Sequence, residues 1–322
     1  MNMKLLFRLV ILEVLVFMSV VLSAQPDTKQ YAPNTDENKL LWEITGNGLA
    51  TPSYLFGTIH MIPTDDFFLT EGTKSAFSSS TRVAFEIDTE EMTNPAAMMS
   101  LMGQMYMAND TALSDLLSDE DYKMVSDHFD ELGLPMMFMG KIKPMFLTVL
   151  AGEDMKDMKP GEGGLGGMFG GEGMKSYELE LTDMAKDAEK PIVGLETAEF
   201  QMSLFDSIPY QAQAEMLVET IRSEQEATEE EKEDGALDQM IKLYTTQDIV
   251  GMQTMMSDDP AGIGGYEEIL LLKRNRNWIP VMEKLMTEET VFFAVGAGHL
   301  AGEEGVIALL RKEGYTMTPV AE

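Results

Sequence analysis

Short apolar runs bounded by glycine, proline or polar residues occur near both ends of the chain and predict β-strands. The first two runs, LLWEIT and SYLFGT, flank the turn sequence GNGLATP, which is typical of a β-hairpin. A third run, PIVGLE, is rich in β-branched residues and predicts a buried strand. The six predicted strands cover residues 40–45, 53–58, 82–87, 191–196, 290–295 and 315–320.

Between these runs, apolar residues recur at helical spacing and predict helices. Ser118 followed by Asp121 predicts a capped helix start within the helix predicted at residues 111–132. The helix predicted at residues 266–286 continues on both sides of Pro280. A glycine-dense stretch at residues 152–173 interrupts the pattern and predicts a mobile loop. The clearest predicted helices cover residues 111–132, 177–190, 266–286 and 303–314.

This order of elements predicts the fold class. Strands cluster near the two ends of the sequence and the middle is mostly helical, so we expect an α/β (α+β) fold. Its core would be a mixed β-sheet built from the N- and C-terminal segments and flanked by helices. We expect one domain over residues 39–322, with a helical cap inserted at about residues 94–175.

The first residues resemble a secretory signal. Lys4 and Arg8 precede an apolar run and a small-residue exit, so we predict a signal peptide over residues 1–24 and a polar spacer over residues 25–38. An uncleaved anchor is the alternative. No later segment is long and apolar enough to span a bilayer. We therefore expect an exported protein, either periplasmic or secreted, with no stable membrane span after cleavage.

Composition narrows the kinds of partner and of site. The chain has 23 basic and 55 acidic residues and a formal net charge of −32, which argues against nucleic acid and anionic membrane partners. It has no cysteine, which excludes disulfides, thiolate metal sites and a cysteine nucleophile. A metal ion would have to be held by histidine, aspartate, glutamate or amide oxygen.

Four chemically versatile side chains stand at or next to the ends of predicted strands. In an open α/β sheet, polar groups at the carboxyl ends of the strands gather over an apolar floor, which is where sites form. Gly57, Gly296 and Gly298 precede the two histidines and are expected to let the backbone turn sharply. The four side chains are His60, Glu86, Glu196 and His299.

Two histidines and one carboxylate make the ligand set of many catalytic metal sites, and a second carboxylate could act as a base. The same residues could instead perform acid–base chemistry without a metal. Arg274 would stabilise an oxyanion or bind a substrate carboxylate, with a surface salt bridge as the structural alternative. His128, the remaining histidine, has no strand-end context and is predicted to be structural.

Several motifs, in their order along the chain, closely resemble the TraB/GumN family, the bacterial relatives of the TIKI proteases. The resemblance implies a core like the erythromycin-esterase and ChaN-like folds and, for TIKI-type members, metal-dependent peptide hydrolysis with Mn or Co favoured. The motifs are LLWEITGNGLATPSYLFGTIHMIP, VAFEID, YELELTDMAKDAEKPIVGLETAEFQ, RNRNW and FFAVGAGHLAGEEGVIALLRKEGYTMTPV.

The resemblance also implies site residues. Gly57 with His60 and Gly296 with His299 match the two Gly-x-x-His motifs, and Glu86 matches the strand carboxylate. Glu180 stands where an aspartate is commoner. Other recurrent positions of the family are matched by Glu178 or Glu180, Glu196, Gln201, Arg274 and Asn275.

Together these observations favour an exported metal-dependent hydrolase, in the first place a protease or peptidase acting on peptides or proteins. His60, His299 and Glu86 would surround a divalent ion such as Mn, Co or Zn, and Glu196 or Glu178 would assist proton transfer. One alternative is a non-catalytic binding or signalling protein that sequesters a peptide or a haem-like ligand, since a Met- and Gly-rich cap suits adaptable binding. Another is a metal-free, esterase-like hydrolase.

Overall fold

The computed structural model describes residues 37–88, 95–151, 173–226, 236–257 and 263–320. The predicted signal peptide, the spacer up to residue 36 and nearly all of the glycine-dense loop lie outside them. Within the described residues, no helix is long and apolar enough to cross a membrane.

The chain divides into two compact units. One, called the sheet unit, contains the described parts of residues 23–90, 173–197 and 237–322. The other, called the helical unit, contains the described parts of residues 91–172 and 198–236.

Thirteen α-helices are found among the described residues. Helices α2 to α6, α8 and α9 belong to the helical unit, and the others belong to the sheet unit. Their bounds are α1 Glu71–Ser79, α2 Pro95–Gln104, α3 Leu113–Leu116, α4 Asp119–Glu131, α5 Met136–Met139, α6 Pro144–Ala151, α7 Tyr177–Asp187, α8 Ala198–Leu204, α9 Tyr210–Glu226, α10 Ala236–Thr245, α11 Ile249–Ser257, α12 Lys273–Glu288 and α13 Val306–Lys312.

A six-stranded sheet forms the centre of the sheet unit, in the order β6-β4-β7-β2-β1-β8. A separate two-stranded sheet pairs β3 with β5, each only two residues long and therefore too short to give a periodic signal in the sequence. The strands are β1 Leu41–Gly46, β2 Ser53–Thr58, β3 Ile62–Pro63, β4 Arg82–Ile87, β5 Met174–Lys175, β6 Ile192–Glu196, β7 Val291–Gly296 and β8 Tyr315–Pro319.

The directions of these strands confirm the predicted mixed sheet. Strand β7 is parallel to both β2 and β4, and β4 is parallel to β6. Strand β1 is antiparallel to β2 and to β8. The carboxyl ends of β2, β4, β6 and β7 therefore meet at one edge of the sheet. The sheet combines strands from both ends of the sequence, as the pattern of apolar runs predicts.

The apolar runs form strands because the sheet is buried. All six residues of β7 are buried, and Phe292 and Phe293, which point to opposite faces, are both inaccessible to solvent. A parallel strand covered on both faces has a continuous apolar run rather than an alternating one. Buried side chains from helices, including Trp278 of α12 and Tyr244 of α10, belong to the same core.

Two predicted helices differ in detail from the pattern. Residues 111–132 form α3 and α4, and Ser118 caps the second of these, its Oγ accepting a hydrogen bond from the Asp121 backbone N–H at 3.1 Å. The helix predicted from residue 266 begins as a π-helical turn, Glu268–Leu272, and continues as α12 through Pro280. Such π-helical turns are frequent at functional sites.

Gly57 has a different role from the expected sharp turn. It lies within β2, opposite Val295 of β7, and neither Gly57 nor Gly296 has a positive φ angle. A Cβ atom at Gly57 would lie 2.9 Å from Leu300 Cδ2 and 3.1 Å from Ala297 Cα. Glycine is required here because the segment that follows β7 packs directly against the backbone of β2.

We predict that Gly57→Ala lowers the free energy of unfolding by about 1–3 kcal/mol, since the new methyl group overlaps backbone that cannot move freely. Denaturant unfolding followed by circular dichroism measures the change. Gly103→Ala is the control: Gly103 is an exposed residue of α2 with no neighbour within 4 Å of an added Cβ, so alanine should be neutral or stabilising. Equal stability of the Gly57→Ala variant and the parent would contradict this explanation.

Candidate functional site

The four strand-end side chains lie at the edge that the topology predicts. Glu86 is in β4, Glu196 ends β6, His60 follows β2, and His299 lies in the 3₁₀ turn Ala297–His299 directly after β7. His60, Glu86 and His299 are all buried, at 5%, 7% and 4% exposure. Buried ionisable groups require partners, and the main partner here comes from helix α12.

Arg274, on the first turn of α12, connects three of the predicted residues. Its side chain is 1% exposed. Nη2 donates to Glu86 Oε2 and forms an ion pair with Glu196 Oε1 at 2.7 Å, and Nε donates to Glu196 Oε1 at 2.8 Å. Nη1 donates to the Leu270 carbonyl at 3.0 Å and to His299 Nε2 at 3.1 Å. All three nitrogens of the guanidinium group therefore donate to acceptors within the protein.

Trp278 of helix α12 contacts three members of the site. The indole Nε1 of Trp278 donates to Glu196 Oε2 at 2.8 Å. The Trp278 ring lies 4.4 Å from the His299 ring, centroid to centroid, and 4.9 Å from the Arg274 guanidinium carbon. Trp278 therefore closes one side of the site and anchors the second oxygen of Glu196. We did not assign Trp278 to the site from sequence, although its spacing of four residues from Arg274 puts both on one helix face.

Asn275 sets the orientation and tautomer of His299. Its Oδ1 lies 2.6 Å from His299 Nδ1, and its Nδ2 donates to the Glu304 carbonyl at 2.9 Å. Because the Arg274 guanidinium can only donate, His299 Nε2 accepts, so the ring proton is on Nδ1 and is donated to Asn275. The lone pair of His299 therefore lies on Nε2 and points at Arg274.

The charges of the cluster shift the pKa values of its members. Burial raises the pKa of Glu86, but the charges of Arg274, His299 and His60 and the Gly296 N–H outweigh it and lower that pKa to about 2. Burial lowers the pKa of His299 to about 3, with Glu86 opposing and Arg274 and His60 reinforcing this effect. At neutral pH, Glu86 is an anion and His299 is a neutral imidazole.

The second carboxylate differs from the first. Burial raises the pKa of Glu196, although Arg274 and the Trp278 N–H act in the opposite direction. Two similar carboxylates with pKa values shifted in opposite directions are an arrangement that acid–base chemistry uses. Glu196 is thus better suited than Glu86 to hold a proton during a reaction.

His60 has its own set of partners at the end of β2. Its Nδ1 lies 3.0 Å from Glu178 Oε1, an oxygen that accepts a hydrogen bond from Thr58 Oγ1 at 2.6 Å. Ser176 Oγ donates to the other oxygen of Glu178 at 3.2 Å. Glu178 is buried in the first turn of α7, where the helix dipole favours a carboxylate. Thr58 and Ser176 were not predicted as site residues, because their chain segments meet His60 and Glu178 only through tertiary structure.

Two buried tyrosines support this part of the edge. Tyr244 Oη donates to the Gly57 carbonyl at 3.0 Å, and Tyr177 Oη donates to the Phe68 carbonyl at 2.8 Å. Burial raises the pKa of Tyr177 to about 12, and burial likewise raises the pKa of Tyr244. Both hydroxyls therefore remain protonated donors. They were not predicted, because nothing in their local sequence distinguishes them from core aromatic residues.

The remaining predicted residues lie as follows. Gly296 donates its backbone N–H to Glu86 Oε1 at 2.8 Å. Glu180 is partly exposed and pairs with Lys175 at 3.0 Å, so Glu178, rather than Glu180, is the carboxylate beside His60. Gln201 is buried on α8, which belongs to the helical unit, whereas the other predicted site residues belong to the sheet unit.

The donor chemistry of the site fits a divalent ion. His299 Nδ1 is held by Asn275 Oδ1, and a carboxylate oxygen of Glu178 lies 3.0 Å from His60 Nδ1; a side-chain oxygen at Nδ1 is usual around a metal-ligating histidine and leaves Nε2 as the ligating atom. His299 Nε2 and Glu86 Oε1 are 3.7 Å apart. Two ligands about 2.1 Å from one tetrahedral ion are roughly 3.4 Å apart, so this separation is suitable.

The arrangement itself is not that of an assembled metal centre. Among the residues that the structure describes, no three histidine, aspartate or glutamate side chains are grouped as the ligands of one ion. Arg274 also uses the lone pair of His299 that an ion would need. The residue types fit a divalent ion, and side chains would have to move to bind it.

Comparison with known proteins identifies the family. The model of the TraB/PrgY/gumN family matches residues 40–319, which is most of the chain. The chain belongs to the TraB/PrgY/gumN family. The resemblance seen in the sequence motifs is thereby confirmed, and the match includes every site residue discussed above.

Relatives of this TraB/PrgY/gumN protein include animal proteins named as metalloproteases. Metalloprotease TIKI1 of Danio rerio is 25% identical over 346 residues, covering 90% of this chain and 65% of the relative. Metalloprotease TIKI2 of Danio rerio is 24% identical, with 89% and 62% covered. Metalloprotease TIKI1 of Homo sapiens is 25% identical, with 86% and 61% covered. The chain thus spans a little under two thirds of the length of these relatives. No solved structure matches the chain.

We predict that Arg274→Met lowers the free energy of unfolding by about 3–5 kcal/mol, since it leaves Glu86 and Glu196 buried with no counter-ion. The control, Arg276→Met, removes an arginine two residues away that is 39% exposed and pairs with Glu268 and Glu304. It should leave the free energy of unfolding nearly unchanged, because exposed ion pairs contribute little. Thermal or denaturant unfolding measures both variants, and equal losses would show that burial of the cluster does not determine its contribution.

Proposed function

We propose that this protein is an exported, metal-dependent peptidase that acts on peptides or proteins. The observation that carries the proposal is the pair of strand-end histidines, each with a side-chain oxygen within 3.0 Å of Nδ1 and each coupled electrostatically to Glu86. The metalloprotease names of the relatives support it. The strong negative charge of the chain supports a partner other than nucleic acid.

In this proposal, His60, His299 and Glu86 hold a divalent ion such as Mn, Co or Zn. When bound, such an ion supplies Lewis acidity toward a scissile carbonyl and makes water a better nucleophile at neutral pH. Asn275 and Glu178 orient the two imidazoles so that both present Nε2. The neutral state of His299 suits it to ligation, since a protonated imidazole has no lone pair.

Two residues would assist the chemistry. Glu196, whose pKa is raised by burial, would carry a proton from the attacking water to the leaving amine, with Glu178 as the other candidate for this role. Arg274 would stabilise the developing oxyanion. Because all three of its guanidinium nitrogens donate to protein acceptors, Arg274 would release one of these acceptors in order to do so.

We also propose that residues 39–322 form one TraB/PrgY/gumN-like domain in which about residues 94–175 are a helical cap. Export would follow from the signal sequence over residues 1–24 and would give a periplasmic or secreted protein. Substrate selection would belong to the cap.

A non-catalytic binding function is the second candidate. Its support is the helical unit, where Met99, Met137 and Phe138 are exposed and adaptable apolar side chains suit binding of a peptide or haem-like ligand. The saturated hydrogen bonding of Arg274 also suits a site without turnover. A metal-free, esterase-like hydrolase is the third, supported by the neutral His299 and by Glu196.

We predict that His60→Ala and His299→Ala abolish metal-stimulated peptide cleavage while the protein stays folded, because each removes one ligand of the proposed ion. His128→Ala is the matched control. This third histidine lies on α4 of the helical unit, where Nε2 contacts the Ala151 carbonyl at 2.8 Å, and its removal should leave cleavage intact. The assay follows cleavage of a peptide library with and without Mn²⁺, Co²⁺ or Zn²⁺, and circular dichroism checks folding.

The same assay separates the three candidate functions. Full activity in His60→Ala would overturn the peptidase proposal. Peptide recovered intact after long incubation with the metal-loaded protein would favour the binding function. Hydrolysis that survives chelation with EDTA would favour the metal-free hydrolase.

A further inference from the structure

We infer that Arg274 is a built-in competitor of the metal ion: it occupies the His299 Nε2 lone pair that the ion needs and already neutralises Glu86 through Oε2. The inference rests on the proposed metal site and adds a regulatory property to it: the guanidinium group and the ion alternate. It concerns the role of this arginine in setting metal affinity, separately from the oxyanion role proposed above.

The lone pair of His299 can serve either Arg274 or an ion, but not both. A neutral imidazole has a single ring lone pair, and the Nδ1 proton is committed to Asn275 at 2.6 Å. The lone pair therefore lies on Nε2, where Arg274 Nη1 donates at 3.1 Å. An ion bound to Nε2 lies along the same direction at about 2.1 Å. The two cations cannot use this atom together.

The positive charge of Arg274 also opposes the binding of an ion. Arg274 already supplies a counter-ion to Glu86 and Glu196, both within hydrogen-bonding distance of it, in a site that excludes solvent. Arginine stays protonated in proteins, so it cannot lose its charge to accommodate an ion. A divalent ion that binds beside Arg274 is repelled by the positive charge of the guanidinium group. It also finds carboxylates whose charge Arg274 has already neutralised. Metal affinity should therefore be lower than the ligand set alone would give.

Glu196 would keep the guanidinium group attached after it leaves His299. Its Nε and Nη2 are held by Glu196, which Trp278 anchors from the other side at 2.8 Å. These contacts do not involve His299. Arg274 can thus release His299 and Glu86 while it remains attached to Glu196, and the released Nη1 N–H becomes a donor at the edge of the site. Metal occupancy and the availability of this donor would then be coupled.

The test compares metal affinity in three forms of the full chain by calorimetric titration with Mn²⁺, Co²⁺ and Zn²⁺ alone. Arg274→Gln should bind an ion about tenfold or more tightly than the parent, because a competing positive charge is removed from beside the site. Arg276→Gln is matched in charge and lies on the same helix but pairs with Glu268 and Glu304, so its affinity should stay within about twofold of the parent.

The outcomes separate this inference from the proposed function. If the parent binds an ion and Arg274→Gln binds it equally or more weakly, the competition is wrong and the metal site stands. If neither protein binds an ion, the metal site itself is wrong and the competition with it. Tighter binding in both arginine variants would indicate a general charge effect and would also overturn the competition.

A second measurement needs no change at Arg274 and covers the case in which Arg274→Gln does not fold. Trp278 lies against both His299 and Arg274 and is one of two tryptophans in the chain. Titration of the parent with Zn²⁺, a d¹⁰ ion, should change its tryptophan emission as the guanidinium leaves the His299 side. Trp278→Phe, which keeps Trp42, is the blank and should show no change. Zn²⁺ binding that leaves the emission of the parent unchanged would contradict the inference.

Discussion

A single buried positive charge organises the site of this protein. Arg274 pairs with carboxylates from two neighbouring strands, Glu86 and Glu196, and donates to His299 beyond a third strand. Burying either carboxylate without a partner would cost several kcal/mol. The guanidinium group makes their burial possible because its planar set of donors can serve several acceptors at once. The position of α12 against the edge of the sheet therefore follows from electrostatics as well as from apolar packing.

Parallel strand direction explains why distant segments of the sequence converge here. Strands β2, β4, β6 and β7 run the same way, so the residues that follow or end them meet at one edge. This consequence could be predicted from the apolar runs and from the polar residues at their ends. The helix that completes the site also has a readable spacing, since Arg274, Asn275 and Trp278 lie within one and a half turns of α12.

Other features depend on tertiary contacts and could not be predicted. The sequence motif YELEL offers two acids, and only the structure shows that Glu178 faces His60 while Glu180 faces Lys175. The π-helical turn before α12 has no local signature, and its Leu270 carbonyl accepts from Arg274. Gly57 was expected to serve a turn, whereas the reason for glycine is the close approach of Ala297 and Leu300, residues some 240 positions away in sequence.

Under the proposed function, the carboxylates of this site would serve stability and chemistry together, and these two demands conflict. A network in which every guanidinium nitrogen donates to the protein favours the folded state, yet a group engaged in this way has little left to offer a substrate or an ion. Glu196 resolves part of the conflict because it holds Arg274 through contacts independent of His299 and Glu86. The arginine can then remain a counter-ion for one carboxylate while the other carboxylate and the imidazole change partners. Catalysis at such a site would be limited by how readily that exchange occurs, and the exchange depends on the contacts of Glu196 and Trp278 rather than on the histidines alone.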